Sequence, residues 1–368
     1  MCRWIVYHSH YEPILLADLL IRPAHSLLKQ VDEHYLPGLQ LDSPPEQADD
    51  NRSPNSLTNI DGFGIAWYSH VPSTHKVFST TERLLEHPRL LPAVYKCISP
   101  PLHDYNLQSL ANSIESRIVF GHIRASTTGS VQLPNCHPFQ FGRFLFMHNG
   151  RIGRFADIQL ELMNLVGPRA RSFVKGTTDT EWLAALFFHF LDPSENANWL
   201  DDFPLSYQLD ALARSIKTII RLVEVKGGYV DWVSDELIGW FSANLAISDG
   251  EKLIALRFAY PPRRREAPSL YWSETAGSAL DRKYRGHPDG RGREEIGNKL
   301  RKNHQAHVVV ASEPMSWDVR EWQMIRQDEV LVVEGGEEPV LRRFEELRID
   351  DFEKGRTPSI STTSSDSD

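Results

Sequence analysis

No stretch of this sequence is both long and apolar enough to read as a membrane span. The richest apolar runs, 14–21 and 183–191, contain Asp18 or His189 and fall well short of the roughly 20 residues a spanning helix needs. The beginning of the chain has no basic region followed by an apolar run and a cleavage site, so secretion is not expected. Cysteine is scarce, with three (Cys2, Cys97, Cys136) in 368 residues. They cannot all pair and have no metal-ligand spacing, so neither a disulfide scaffold nor a metal centre is expected. A reducing compartment, the cytoplasm, is the expected location. Positive charge is in deficit too: 40 Lys and Arg against 49 Asp and Glu leave a net charge of −9. That argues against nucleic acid or an anionic membrane as partner. There is no internal repeat, no clear β-α-β-α period and no glycine phosphate loop, which argues against a doubly wound dinucleotide fold and for layered α/β architecture.

The rest of the composition is that of an ordinary globular protein, with 41% apolar and 24% charged residues. Strands are expected at 2–8, 62–68, 118–123 and 143–147, then at 244–247, 253–258, 270–272, 308–311 and 330–333. The tripeptide Ser248-Asp249-Gly250 reads as a hairpin between two of them. Residues 14–30 show helical spacing broken at Pro23, and helices are expected at 179–191 and 207–225. In the last of these Leu209, Leu212, Ile216, Ile219 and Val223 form one apolar stripe. Two polar segments, 42–58 and 276–305, read as a solvated loop and an insertion. The Ser, Thr and Asp-rich tail 355–368 reads as disordered.

Five short segments carry chemistry. Cys2 follows Met1, and a small second residue ordinarily lets the initiator methionine be removed. A terminal cysteine then holds a thiol and an amine on one residue, with unperturbed pKa values of about 8.5 and about 8, so the amine can take the thiol proton. The segment 121–129 leaves a buried strand; Arg124 there could clamp a carboxylate, and the small hydroxyl residues, Thr127 among them, leave room for a ligand. In His148-Asn149-Gly150 the Asn amide and a Gly N–H are suitable donors to an oxyanion, although Asn-Gly is also an ordinary turn. Thr178-Asp179-Thr180-Glu181 fits a helix capping box, and Asp179 could also face a ligand ammonium. Asn135-Cys136-His137-Pro138-Phe139 sets one Cys beside one His with no partner pair, so a substrate-loop or structural role is expected rather than a metal site.

In this order, together with Asp61-Gly62-Phe63-Gly64-Ile65-Ala66, these segments resemble the class II glutamine amidotransferases, the N-terminal-nucleophile glutaminases. Phe63 stands where relatives often carry Trp, and Ala125 where many carry an aromatic residue. Residues 25–30 and 311–314 resemble the stand-alone branch that includes the fungal glutathione-degradation amidotransferase subunit. The resemblance implies an α+β fold, a four-layer αββα sandwich of two antiparallel sheets of the N-terminal-nucleophile hydrolase type, in one domain over 2–350. It implies Cys2 as nucleophile with its α-amine as proton shuttle, and Asn149 and Gly150 as the oxyanion hole. Arg124 would take the substrate α-carboxylate and Asp179 its α-ammonium, with Thr127 and His148 also lining the substrate. No cofactor is implied.

No adenylation loop, phosphoribosyl-diphosphate motif or sugar isomerase repeat follows the glutaminase segments. The expected reaction is therefore hydrolysis of a γ-glutamyl amide through a thioester on Cys2. Glutathione is the leading substrate and a peptidase-type protein a candidate partner. The alternatives are a plain glutaminase passing ammonia to a partner, a γ-glutamyl amidohydrolase of thiohistidine biosynthesis, or an inactive regulatory subunit. The last would ordinarily have lost Cys2, Arg124, Asn149 or Asp179, and all four are present.

Overall fold

A computed structural model of the chain describes residues 2–37, 52–54, 60–71, 89–125, 130–194, 199–229, 239–262, 266–284 and 304–347. Thr127, most of 42–58, residues 285–303 and the tail 355–368 lie outside the described residues.

Every residue of the strand Arg3–His8 is buried, because both of its faces are covered. Successive side chains alternate between faces. Trp4 and Val6 enter one apolar cluster and Ile5 and Tyr7 another. This strand is the centre of a seven-stranded antiparallel sheet, in the order Gln323–Met324, Tyr271–Ser273, Val308–Ala311, Arg3–His8, Ile118–Ile123, Phe63–Val71 and Arg89–Cys97. A second, six-stranded sheet runs Val340–Arg343, Glu329–Glu334, Lys252–Tyr260, Phe241–Ser248, Phe144–Ile152 and Phe139–Phe141. Its strands alternate as well: Leu145 and Met147 meet Trp4, Val6 and Phe120 between the sheets, while Phe144 and Phe146 join Leu183, Phe187, Leu212 and Ile216 on the far side. The far-side layer is built from the helices Phe155–Leu165, Pro168–Ser172, Asp179–Leu191 and Leu205–Val225. Leu16–Leu20 and Tyr105–Ser113 cover the outer face of the first sheet. The result is the expected αββα sandwich.

The whole apolar stripe of Leu205–Val225 is buried, and the expected hairpin closes with Ser248 opposite Leu253 and Gly250 at φ +93°. Several features depart from the sequence reading. Helical spacing over 14–30 yields only the short helix Leu16–Leu20 and a 3-10 turn, Lys29–Val31. Strand Arg89–Cys97 was not expected, because Pro92 lies inside it; it is the sheet edge, where a missing N–H leaves no ladder bond unmade. The start of the expected insertion at 276–305 is packed, with Ala276, Gly277, Leu280, Asp281 and Tyr284 buried. Within 42–58, Arg52–Pro54 pairs with Glu33–Tyr35.

Candidate active site

The two sheets meet at the start of the first one's central strand. The ladder begins at Arg3 opposite Ile123, so Cys2 projects one residue beyond it. The half-buried Cys2 accepts the Ala125 N–H on Sγ at 3.4 Å, and the thiol lies 3.6 Å from the Ala125 carbonyl oxygen. Its own carbonyl accepts two donors, Asn149 Nδ2 at 2.9 Å and Arg3 Nη1 at 3.0 Å. Burial pushes the Cys2 thiol above its ordinary pKa, against the pull of the Ala125 N–H and the Arg124 and Arg3 charges.

Asn149 reaches Cys2 because it faces between the sheets, as Leu145 and Met147 do on the same strand. The Asn-Gly turn is overturned as a reading of this segment. Strand Phe144–Ile152 runs straight through it, with Asn149 opposite Asn244 and Gly150 opposite Ala243. Gly150 is required by space: a Cβ there would lie 2.0 Å from the Ser242 carbonyl oxygen and 2.3 Å from His148 Nε2.

Arg124 stands just beyond strand Ile118–Ile123 and is 3% exposed. Its main chain is clamped on both sides, by Asp61 N–H to its carbonyl and by its own N–H to the Gly62 carbonyl, each at 2.8 Å. Nη1 donates to the Ser130 carbonyl at 3.2 Å, which also accepts Asn135 Nδ2 at 2.9 Å. Asn135 Oδ1 takes the Thr177 N–H at 2.9 Å and so ties this loop to the segment before Asp179. Cys136 has a packing role. Its sulfur would lie 2.7 Å from a Cβ on Gly62, and Gly62 holds φ +122°.

Asp179 is the first residue of its helix and not the cap. Thr178 is the N-cap, and its hydroxyl accepts the Glu181 N–H. The expected capping box is only half formed: Glu181 reaches back past the cap to the Lys175 and Gly176 N–H groups at 2.8 and 2.6 Å. Asp179 Oδ2 instead takes the Ile152 N–H at 2.8 Å, two residues beyond Gly150, while Oδ1 takes the Thr180 N–H at 2.8 Å. It thus joins the helix start to the strand bearing Asn149.

His148 does not present a ring nitrogen to this cleft. Nδ1 lies 2.8 Å from Thr180 Oγ1 and Nε2 lies 2.9 Å from the Ser242 carbonyl. A carbonyl only accepts, so Nε2 carries the proton and Nδ1 accepts the Thr180 hydroxyl. Burial lowers its pKa and favours this neutral ring. His148 locks the strand to the helix, a role its position beside Asn149 did not signal. The Asn135 bracket and the Ala125 N–H at sulfur were also not read from sequence. The ring centroids of His122 and His137 lie 4.1 Å apart, and burial drives the His122 pKa down to about 3. Among the described residues no group of three His, Cys, Asp or Glu is placed to hold a metal ion. No helix among them is long and apolar enough to cross a membrane.

The cysteine beyond the strand end is thus held by an Asn amide from the facing sheet. A model of the class-II glutamine amidotransferases matches residues 50–218, which include Arg124, Asn149, Gly150 and Asp179. The chain belongs to the class II glutamine amidotransferases. It is 31% identical over 338 residues, 90% of this chain and 82% of the other, to the protein called "Probable glutamine amidotransferase DUG3" of Saccharomyces cerevisiae. A shorter match, 39% over 66 residues, links 18% of this chain to 10% of the isomerizing glutamine–fructose-6-phosphate aminotransferase of Caulobacter vibrioides. The solved glutamine aminotransferase class-II domain protein of Silicibacter pomeroyi shares the fold, with a TM-score of 0.52 at 22% identity over 93% of this chain and 99% of that one.

Proposed function

We propose that the protein cleaves a γ-glutamyl amide through a thioester on Cys2, with glutathione as the substrate. The observation that carries the reading is the 2.9 Å bond from Asn149 Nδ2 to the Cys2 carbonyl, which sets an amide donor beside the candidate nucleophile. The thiol, kept protonated by burial, needs a base at the moment of attack, and the α-amine of a terminal Cys2 is that base. Sulfur adds to the γ-carbonyl carbon, and the oxyanion is received by the Asn149 amide and the Gly150 N–H. Collapse expels the amine, which leaves with the proton held by the α-amine, and water then hydrolyses the thioester to glutamate. Arg124 and Asp179 grip the α-carboxylate and α-ammonium, groups common to glutamine and every γ-glutamyl peptide.

A second reading, a glutaminase that hands ammonia to a separate protein, is favoured by the name of the yeast relative. Glutamate release from glutathione and from glutamine, measured separately and with and without a peptidase-type partner, decides between them. Faster turnover of glutathione is expected, in a protein whose intact mass lacks Met1. Turnover of glutamine alone transfers the case to the second reading. Release from neither substrate overturns both and leaves the inactive-subunit reading.

A further inference from the structure

Two segments that extend the family resemblance, 25–30 and 311–314, have no part in the chemistry above. They meet around Arg3, the residue after the nucleophile. Arg3 leaves its strand on the side of Ile5 and Tyr7 and is only 4% exposed, so its guanidinium needs buried partners. Nε lies 2.8 Å from Glu313 Oε1, and Nη1 donates to the Cys2 carbonyl. Nη2 lies 2.8 Å from His34 Nδ1, itself 2.8 Å from Glu313 Oε1.

Glu313 has no exposure at all, and it is fixed from several sides. Oε2 accepts the Tyr35 N–H at 2.6 Å, and the Glu313 carbonyl accepts Gln30 Nε2 at 3.3 Å. The preceding Ser312 exchanges two bonds with Trp4, its N–H to the Trp4 carbonyl at 2.9 Å and the Trp4 N–H to its Oγ at 3.0 Å. His25 Nδ1 lies 2.7 Å from the Pro314 carbonyl, and the His25 N–H donates to the Met315 carbonyl at 3.1 Å. Residues 25–35 thus grip the turn that carries the carboxylate. Cys2, by contrast, lies outside the ladder, where a chain end frays unless tied down.

We propose that Arg3 and Glu313 are positioning residues for the nucleophile. The proposal rests on the reading of Cys2 given above. Glu313 fixes the guanidinium, the guanidinium and Asn149 fix the Cys2 carbonyl between them, and that sets where the thiol and amine point. Lysine could not do this work: an ammonium is a point charge, whereas the guanidinium fork serves a carboxylate and a carbonyl at once. A displacement of about 1 Å at a reacting group can cost roughly a hundred-fold in rate.

The decisive variant is the double change R3M/E313M, with R3K and E313Q beside it. E313Q leaves a buried cation without its charge partner and should melt lower. The double variant removes both charges, and a buried pair replaced by apolar residues commonly keeps its fold. In the folded double variant kcat for glutamate release should fall at least about ten-fold with KM within about two-fold. Amide hydrogen exchange should quicken at residue 3 and at Trp4 while Phe144–Ile152 keeps its protection. If stability and kcat recover together, the pair is only structural and the proposal is overturned. Should the double variant not fold, R3K keeps the charge and loses the fork. The same kcat loss is expected, and wild-type kcat with unchanged exchange overturns the proposal. Wild-type protein that releases no glutamate from any γ-glutamyl substrate refutes the hydrolase reading instead. Exchange then decides the positioning claim alone, and unchanged protection at residue 3 and at Trp4 in a folded variant refutes it.

Discussion

Replacing Asp179 by Asn separates the bracing role that the structure shows from the substrate role proposed for the same carboxylate. As first residue of its helix, Asp179 accepts the Ile152 and Thr180 N–H groups, one on each oxygen, at 2.8 Å. Asparagine has one acceptor oxygen, so its NH2 must face one of these donors. A lost charge-assisted bond costs about 1.5–3 kcal/mol and the lost favourable charge at a helix start a further ~0.5 kcal/mol. The variant should therefore melt several degrees lower, whatever the substrate does. Had Asp179 been the cap, Asn would have been nearly silent, since it caps as well as Asp. Thr178 caps instead, so stability alone cannot show whether Asp179 binds substrate. Kinetics can. Removing the charge opposite an α-ammonium should raise KM by roughly ten- to a hundred-fold for glutamine and for γ-glutamyl peptides alike, because the contact is to atoms they share. The assay is steady-state glutamate release well below the variant's melting temperature. A variant that melts lower yet keeps a normal KM retires Asp179 from substrate binding and leaves it a brace between helix and strand.

Cys2→Ala should abolish turnover with little change in melting, and a diazoketone analogue of glutamine should label the wild type once, at Cys2; labelling at Cys97 or Cys136 would contradict the assignment. Gly150→Ala should be destabilising by about 1–3 kcal/mol or more, because its Cβ would meet the Ser242 carbonyl at 2.0 Å and press on His148; an unchanged denaturation midpoint would refute that crowding. Acid should also weaken the fold early. Burial holds His8 and His307 at about 4 and His122 at about 3, so below pH 6.5 the unfolded chain binds protons the native chain refuses, and stability falls as pH drops from 6.5 toward 4. At pH 5 that amounts to about 2 kcal/mol per ring, roughly 6 kcal/mol for the three; denaturant midpoints equal at pH 7.5 and pH 5 would refute it.

The parts of this fold that could be read from sequence are those where one local rule acts alone. The stripe of Leu205–Val225 is buried as its spacing requires, and the hairpin at Gly250 closes where its turn residues stand. Strand Arg89–Cys97 escaped because a strand interior containing Pro92 is permitted only at an edge, and edge position is a property of the whole sheet. The end of the strand at Met147 was misplaced for a related reason. His148, Asn149 and Gly150 break an apolar run, and polar residues in a strand look like a turn until their partners are known. Those partners, Thr180, Ser242 and Cys2, come from a helix, a neighbouring strand and the residue ahead of the first strand. Arg3, a charged residue heading the buried first strand, was a signal of a buried anion, but only the fold names Glu313.

The same logic explains how a residue one position beyond the ladder is held as a candidate nucleophile. Cys2 has no strand partner to set its direction, so each constraint on it comes from a side chain or loop donor: Ala125 on sulfur, Asn149 and Arg3 on the carbonyl. Arg3 lies in the first sheet and Ala125 in the loop that follows Ile118–Ile123, but Asn149 comes from the second sheet. The gap between the sheets, filled by Trp4, Phe120, Leu145 and Met147, therefore fixes the distance between thiol and amide donor. An Asn side chain carries two N–H donors, and one is engaged by the Cys2 carbonyl, which leaves the other for the oxyanion role proposed for Asn149. Packing between the sheets holds the Asn149 amide against the Cys2 carbonyl, so a large-to-small change at the buried Met147 or Trp4 would loosen that contact together with the core.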